Sequence, residues 1–308
     1  MLSSERPLHI RAVIPHFYRE SAEHEPVLIG EGFGSRRPGS RWLRAAAFQR
    51  CLCGLLNLRR SSQDLSLDLR HAKAMLTPIA NVRPGFPEIT LEIVVLVVQD
   101  AFLMEVIRSV LPQARLLKVD INDPRELGFA ARDWLIQHPN PADLNLYLED
   151  DLVINDPLLP EKILWMAAES NDKCVLLPHR YELTRRPGSE PRLYIDGPID
   201  VDNFTDWHQP FVSFANGNFQ GQQRVYFDVP INPHAGFFGI SRSQVLYLKE
   251  KNLPTQGFVG PLESAATLTV GKYLTILKSS LGMRSFLEIE HAYPSYIGYL
   301  REASTELS

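Results

Sequence analysis

Cysteine is scarce in this chain. Only three occur among 308 residues: Cys51 and Cys53 lie close together, and Cys174 lies far away in a strand-like run. The odd number without a repeated spacing argues against a disulfide framework, and a Cys-based zinc site lacks ligands at the right spacing. The sequence therefore predicts buried thiols in a reducing compartment.

Long hydrophobic runs are also missing. The most apolar stretch, Ile89 to Val98, is interrupted by Glu92 and is shorter than the roughly 20 residues that a membrane-spanning helix needs. Met1 to Arg6 leads directly into a strand-like segment, without the apolar stretch of a signal peptide. The stretch is interpreted as a buried strand, and a cytoplasmic location is expected.

Positive charge is not in excess. The 32 Lys and Arg residues face 36 Asp and Glu residues, and this formal net charge of -4 provides no basic field for nucleic acid. The one strong asymmetry is a basic helix in the region from Arg36 to Arg60. A solvated helix face explains it; the alternative is a peripheral contact with an anionic membrane surface.

What the chain does contain is a regular alternation of strands and helices in its first half. Such alternation predicts an α/β fold with a doubly wound, mostly parallel sheet. The predicted strands are His9 to Pro15, Leu91 to Val98, Ala114 to Val119 and Leu144 to Leu148. The predicted helices are Trp42 to Leu58, one through Phe102, Val106 and Val110, and Leu127 to Gln137.

The second half is less regular. Its predicted elements are a helix (Glu161 to Ser170), a strand (Lys173 to Leu177), a strand (Ala235 to Ile240), a helix from near Ser241, a helix (Leu262 to Ser279) and a final strand (Phe286 to Ile289). The long segment from Arg185 to Phe227 is rich in Gly, Pro, Asn, Asp and aromatic residues, which is typical of a functional loop. We expect a single domain over 1–308, with halves 1–155 and 156–308.

Three adjacent carboxylates, Glu149, Asp150 and Asp151, follow the apolar strand Leu144 to Leu148. Sheets of this class place their ligands at the carboxyl ends of strands. Three like charges are costly to pack together unless something neutralises them, and Mg²⁺ or Mn²⁺ does so with carboxylate and phosphate oxygens. The alternative is a solvated acidic turn that caps the next helix.

The strand ending in Glu-Asp-Asp resembles the Asp-X-Asp variant of glycosyltransferases with the GT-A fold, which have a Rossmann-type sheet flanked by helices. Three further segments resemble elements of that family: Arg11 to His16, its first strand; Glu92 to Asp100, its second strand; and Gly128 to Arg132, the helix before the metal motif. The resemblance implies nucleotide-sugar binding in the first half of the chain and an acceptor side in the second.

The resemblance also implies site residues. Pro15 and His16 would lie beside the nucleotide base, and Asp100 and Arg132 would belong to the donor site. Glu149 and Asp150 would contact the ribose or the donor sugar. Asp151 would ligate Mn²⁺ or Mg²⁺ directly, and His291 would complete the metal shell; the alternative for His291 is a structural histidine.

Two later segments match the order of that family. His234 to Arg242, with Gly236 and Gly239, resembles the loop against the donor sugar; the alternative is an ordinary turn before a helix. Glu263 resembles the general base of inverting members, although Ser264 stands where the family has a second acid. The alternative for Glu263 is a residue of the first helical turn.

The acceptor side is expected in the aromatic segment with Trp207 and Phe211, because aromatic rings stack on sugar faces. Asp196, Asp200 and Asp228 are alternative acids there. The resulting hypothesis is transfer of a sugar, from a UDP-sugar by preference, to a hydroxyl of a glycan, lipid-linked or protein acceptor. The alternatives are a nucleotidyltransferase, although no Gly-rich phosphate loop follows the first strand, and a non-catalytic carbohydrate- or partner-binding protein.

Overall fold

Fifteen strands and six α-helices form the part of the chain that the computed structural model describes: residues 6–20, 38–78, 87–110, 113–184, 192–199, 216–221, 223–255 and 260–297. The strands are β1 (Leu8–Pro15), β2 (Gln63–Asp68), β3 (Lys73–Pro78), β4 (Ile89–Val98), β5 (Ala114–Val119), β6 (Leu144–Leu148), β7 (Leu152–Val153), β8 (Cys174–Leu176), β9 (His179–Leu183), β10 (Arg192–Tyr194), β11 (Asn216–Phe219), β12 (Gln223–Asp228), β13 (Phe237–Ser241), β14 (Thr275–Ser279) and β15 (Glu288–His291). The helices are α1 (Arg41–Leu56), α2 (Met104–Arg108), α3 (Leu127–Gln137), α4 (Leu159–Glu169), α5 (Arg242–Lys249) and α6 (Pro261–Gly271).

The central sheet has five strands in the order β13, β6, β1, β4, β5. β1 pairs in parallel with β4 and β6, and β4 pairs in parallel with β5, whereas β13 runs antiparallel to β6. β6 is buried at every position, and so are the last six residues of β4. Burial of this kind is typical of parallel strands covered on both faces. The predicted α/β class with a mostly parallel central sheet flanked by helices is confirmed.

Two smaller sheets take all their strands except β7 from the second half of the chain. One has the order β10, β9, β15, β7, and the other has the order β11, β12, β14, β8. In the first of these sheets, β15 lies between β7 and β9, so that His291 pairs with Leu152 and Glu290 pairs with Tyr181. The end of the chain is thereby brought beside the acidic motif, because β7 begins at the residue that follows Asp151.

The predicted helix Leu262 to Ser279 is wrong in its second half. The helix ends at Gly271, and Thr275–Ser279 is the buried strand β14, which pairs with β8 and β12. The apolar residues Leu274, Ile276 and Leu277 are too short a run to distinguish a buried strand from a buried helix by themselves. Pairing with β8, which lies about a hundred residues earlier in the chain, selects the strand.

The sequence analysis did not predict the hairpin of β2 and β3. It is amphipathic: Leu65 pairs with Leu76 and Leu67 pairs with Ala74 on one face, while Asp68 pairs with Lys73 on the other. All of its strand residues except Asp68 are exposed. The signal was present as alternation of leucine with Asp and Ser from Asp64 to Leu69, which is the period of a strand.

Expectations drawn from the scarcity of cysteine and of long apolar runs have mixed outcomes. Cys51 and Cys174 are buried free thiols, whereas Cys53 is free but exposed. Among the described residues, no helix is long and apolar enough to cross a membrane. Of the segment predicted as a long functional loop, β10, β11 and most of β12 are described as strands.

Candidate functional site

The acidic motif lies at the edge of the central sheet where β1 and β6 end. Glu149 follows the last residue of β6, and His16 follows the last residue of β1. Because these strands are parallel neighbours, their carboxyl ends meet at the same edge. The Nδ1 atom of His16 and the Oδ2 atom of Asp150 are 2.6 Å apart. Two segments separated by more than a hundred residues therefore meet at one place.

Both carboxylate oxygens of Asp150 are bound by neighbouring side chains. Arg44, from the first turns of α1, donates to Asp150 Oδ1 at 2.6 Å, and His16 binds Oδ2. Burial alone would raise the pKa of Asp150, but the charge of Arg44 and the hydrogen bond from His16 outweigh it and lower the pKa. Asp150 therefore stays ionised as part of a buried ion pair.

His16 supports Asp150. Its Nε2 atom accepts a hydrogen bond from the Leu103 N–H at 3.0 Å, which leaves the proton on Nδ1 for donation to Asp150. The ring stacks on Phe48 at 4.0 Å, and the residue is 1% exposed. Pro15 is buried as well. Both ring nitrogens of His16 thus bind within the protein, and a place for Pro15 and His16 beside the nucleotide base stays a prediction.

Asp151 faces His291. Its Oδ2 atom accepts from Arg44 at 2.9 Å and lies 3.6 Å from His291 Nε2. Its Oδ1 atom is buried and has no hydrogen-bond partner among the described residues. The two residues predicted as metal ligands are thus brought together, with one carboxylate oxygen left over.

Glu182 stands behind His291 and was not predicted. This β9 residue is fully buried, and its carboxylate accepts from His291 Nδ1 at 2.8 Å. Burial raises the pKa of Glu182, but His291 and backbone N–H groups outweigh burial and lower the pKa. The sequence carries no local signal for this contact, because the two residues are 109 positions apart.

Glu149 points toward Gly236. A Cβ atom on Gly236 would lie only 2.7 Å from Glu149 Oε2, and the φ angle of Gly236 is +59°, a left-handed conformation that favours glycine. The backbone is tied here too, since Glu149 N–H donates to Gly236 C=O at 3.0 Å. The structure therefore places Gly236 against the acidic motif.

The pKa of Glu149 is raised to about 8. Burial is the main cause, and the negative charges of Asp151 and Glu263 add to it, while Arg180 opposes them in part. No hydrogen bond to the Glu149 carboxyl is formed within the described residues. At neutral pH this group is therefore largely protonated, in contrast to Asp150 beside it.

Glu263 lies in the first turn of α6, whose N-terminus has Gly260 as its cap. Its Oε2 atom is buried without a hydrogen-bond partner among the described residues, and so is the Tyr147 hydroxyl of β6. Two carboxyl groups, Glu149 and Glu263, thus influence each other electrostatically at the same edge. Both readings of Glu263, base and first-turn residue, are compatible with this position.

Asp196, one of the alternative acids, is held in a buried ion cluster. It binds Arg180 Nε and Lys278 Nζ, each at 2.8 Å, and all three side chains are buried. Burial raises the pKa of Asp196, but the two cations outweigh burial and lower it. A carboxylate held in this way is a poor proton acceptor. Asp228 is exposed in β12, and Asp200 lies outside the described residues.

Three other predicted donor-site residues have contacts within the protein. Asp100 stands at the end of β4 but is 92% exposed and pairs with Lys118. Arg132 is 1% exposed and donates to Pro254 C=O and Asp133, so it ties α3 to the loop before α6. A Cβ atom on Gly239 would meet Ile163 at 2.6 Å, so this glycine permits packing of α4 on β13. Their membership of the donor site stays a prediction.

The predicted acceptor residues Trp207 and Phe211 lie outside the described residues.

Three arginines of the basic region from Arg36 to Arg60 bind carboxylates of the protein. Arg44 binds the acidic motif, Arg50 forms two hydrogen bonds to Glu290 at 2.7 and 2.6 Å, and Arg60 pairs with Glu161. A solvated helix face therefore does not describe Arg44, whose side chain is 13% exposed, whereas Arg50 lies on an exposed part of α1. Contact with a membrane stays a prediction for the remaining basic residues of the region.

Within the ranges that the structure describes, no group of three or more His, Cys, Asp or Glu side chains is arranged to hold a metal ion by itself. Asp151 and His291 would supply two metal ligands, and the other coordination positions would be filled from outside the protein. A diphosphate and water supply oxygen ligands of the kind that Mg²⁺ prefers.

Comparison with known proteins gives structural likeness alone. No protein-family model matches the chain, and no curated protein matches it. Among solved structures, the chain is similar to TarS of S. aureus, residues 1–349, with 11% identity and a TM-score of 0.43 over 92% of this chain and 60% of that one. It is also similar to the same fragment in complex with UDP-GlcNAc, with 10% identity and a TM-score of 0.40 over 94% and 62%. The chain spans about 60% of the length of these neighbours.

Proposed function

We propose that this chain transfers a sugar from a nucleotide-sugar donor to a hydroxyl acceptor, with Mn²⁺ or Mg²⁺ held at Asp151 and His291. The observation that carries the proposal is the pairing of Asp151 and His291. Asp151 Oδ2, which also accepts from Arg44, lies 3.6 Å from His291 Nε2, and Oδ1 of the same carboxylate is buried without a hydrogen-bond partner among the described residues. Buried polar atoms normally have partners, and an orphan oxygen at this place suits a ligand that is added later.

The side chains of Asp151 and His291 suit a hard divalent cation. Carboxylate oxygen and imidazole nitrogen are both ligands for Mn²⁺, and two protein ligands leave room for the two phosphates of a donor. When bound there, the cation would supply Lewis-acid neutralisation of the charge on the departing nucleoside diphosphate. Arg44, which contacts Asp150 and Asp151, holds a second positive charge at the same place.

The side of the motif with Glu149 suits the donor sugar. A protonated carboxyl donates a hydrogen bond as well as accepting one, so Glu149 is able to bind a sugar hydroxyl without adding a charge. The missing side chain of Gly236 leaves the room that the Glu149 carboxyl itself occupies. A UDP-sugar is the favoured donor, because the resemblance to GT-A glycosyltransferases in the acidic motif implies it.

Glu263 is proposed as the general base that takes the proton of the acceptor hydroxyl, which implies inversion at the anomeric carbon. Its buried and unpartnered Oε2 atom, in the first turn of α6, supports this role. The acceptor is a hydroxyl of a glycan, lipid-linked or protein substrate, and the segment with Trp207 and Phe211 is proposed to bind it.

The test is a screen of nucleotide sugars for metal-dependent hydrolysis and transfer, with Asp151→Asn as the site variant. Asp156→Asn is the matched control, because Asp156 pairs with Lys162 and does not contact the acidic motif. We expect Asp151→Asn to lower kcat/KM by about 100-fold or more, since the metal contact is lost, and Asp156→Asn to leave it within a few-fold.

Thermal shift with UDP, with and without Mn²⁺, separates this function from the alternatives. Metal-dependent stabilisation by UDP supports a transferase. Pyrophosphate release from a nucleoside triphosphate and a sugar phosphate would instead identify a nucleotidyltransferase. A lack of response to every nucleotide would reject the enzyme and leave a binding protein.

A further inference from the structure

Glu182 collects an unusual number of donors. Besides His291 Nδ1, its carboxylate accepts from the backbone N–H groups of Ser295 at 2.8 Å, Tyr296 at 3.0 and 3.1 Å, and Ile297 at 2.8 Å. It is fully buried and lies on β9, next to β15 in the same sheet. A single buried carboxylate thus binds both the imidazole of His291 and the chain that follows it.

The contact decides which nitrogen of His291 faces the acidic motif. Both oxygens of Glu182 accept from backbone N–H groups, so the carboxylate is the acceptor toward His291 as well, and His291 Nδ1 carries the proton of that hydrogen bond. The Nε2 atom is then the one directed to Asp151 Oδ2, 3.6 Å away. A carboxylate that binds one imidazole nitrogen while the other is left for a metal is the arrangement that fixes ring orientation in metal sites.

The segment held by Glu182 also lies against the site. Ala292 N–H donates to the Asp151 C=O at 2.8 Å, which ties the segment to the backbone of the acidic motif. The Tyr293 ring lies 4.9 Å from the guanidinium carbon of Arg44, and the Tyr296 ring lies 5.8 Å from the His291 ring. Loss of the Glu182 carboxylate would therefore release both the imidazole and the chain that covers it.

We propose that Glu182 is a positioning residue for the donor site: it holds His291 with Nε2 toward Asp151 and anchors residues 292–297 over the pair. The proposal rests on the proposed function, since it assumes that a divalent cation binds between Asp151 and His291. Glu182 itself touches neither the cation nor the donor, and it acts through His291.

The experiment measures the Kd of Mn²⁺ in the presence of UDP by calorimetry, for the wild type and Glu182→Gln. Glutamine has nearly the same shape, but its N–H₂ group replaces one of two acceptor oxygens that face N–H donors. We expect Mn²⁺ binding to weaken by about 10- to 100-fold, as is typical when an outer partner of a metal ligand is lost. Glu288→Gln is the matched control, because Glu288 lies on β15 but accepts from Tyr194 instead.

A double-mutant cycle with His291→Ala distinguishes positioning from a purely structural role. If Glu182 acts through His291, Glu182→Gln will weaken Mn²⁺ binding no further in the His291→Ala background. Equal weakening in both backgrounds would overturn the proposal. Long-range ¹H–¹⁵N spectra of the metal-free protein add a second readout: the His291 Nδ1–H signal of the wild type should be lost or shifted to Nε2–H in the variant.

Failure of the inference and failure of the proposed function give different results. A wild type that does not bind Mn²⁺ with UDP rejects the metal site and the inference together. A wild type that binds Mn²⁺, with Glu182→Gln binding equally well, overturns the inference alone. If Glu182→Gln does not fold, Glu182→Asp takes its place, since it retains the carboxylate one methylene further back. Unchanged Mn²⁺ affinity and an unchanged His291 signal in that variant would also overturn the inference.

Discussion

Glu149 and Asp150 are neighbours in the chain, but their environments shift their pKa values in opposite directions. Asp150 is bound by Arg44 and His16, and its pKa is lowered; Glu149 faces Gly236 without a hydrogen-bonded cation, and its pKa is raised. Successive side chains at the end of an extended strand point to different sides, so adjacent carboxylates need not share a site. Opposed pKa shifts in one site are typical of carboxyl groups with different chemical roles.

The largest test of this comparison removes the cation on the Asp150 side. Arg44→Met leaves Asp150 and Asp151 buried without their shared partner, and we expect a loss of about 3–5 kcal/mol in the free energy of unfolding at pH 7. Arg41→Met is the control, since Arg41 pairs with the exposed Glu105 and should cost about 1 kcal/mol or less. Urea denaturation measures both. A similar loss in the two variants would mean that the compensation of Asp150 is not what stabilises this edge of the sheet.

The role of Arg44 also shows where sequence reasoning stops. The apolar run Leu144–Leu148 and the acids after it predicted the strand bounds and the carboxylate edge, because burial on both faces leaves a local signature. Arg44 was interpreted only as part of a basic helix face. Its partners lie 106 and 107 residues away, and they depend on how α1 packs, which no local pattern encodes.

The same limit applies to the contacts of Arg132 and Gly239. Both lie near the expected site in the chain, yet Arg132 binds Pro254 C=O and Gly239 lies against Ile163. Proximity in sequence to a motif did not predict which way a side chain points. Glu182 and His291 illustrate the converse, since a contact across 109 positions becomes visible only when β9 and β15 pair.

The second test concerns the Glu149 side and depends on pH. A carboxyl whose pKa is raised on folding costs no stability below its unfolded pKa; the cost grows as pH rises from the unfolded value toward the folded value of about 8, and it levels off above that. Glu149→Gln removes that cost, so the variant should gain about 1–3 kcal/mol over the wild type at pH 9 and little at pH 5. Thermal unfolding across this range, with a chelator present, measures the difference.

Asp150→Asn should show the opposite sign in the same series. A carboxylate whose pKa is lowered on folding contributes stability above its unfolded pKa, and this contribution is lost as pH falls. The variant should therefore be less stable than the wild type at pH 7, and the gap should narrow as pH falls below about 4. If both variants followed the same pH trend, the contrast between the two acids would be broken.

The smallest test adds one methyl group to the Glu149 side. Gly236→Ala places a Cβ atom 2.7 Å from Glu149 Oε2 at a left-handed backbone position, whereas Gly221→Ala meets a similar backbone, with φ of +70°, where no described atom lies within 4 Å. The backbone alone should cost about 1–2 kcal/mol in each variant. If Gly236→Ala loses more unfolding free energy than Gly221→Ala, the difference measures crowding of Glu149. That difference should vanish when Gly236→Ala is combined with Glu149→Ala. An excess that persisted there would mean that the space beside Gly236 is shaped by other residues, and Glu149 would lose its place against the donor sugar.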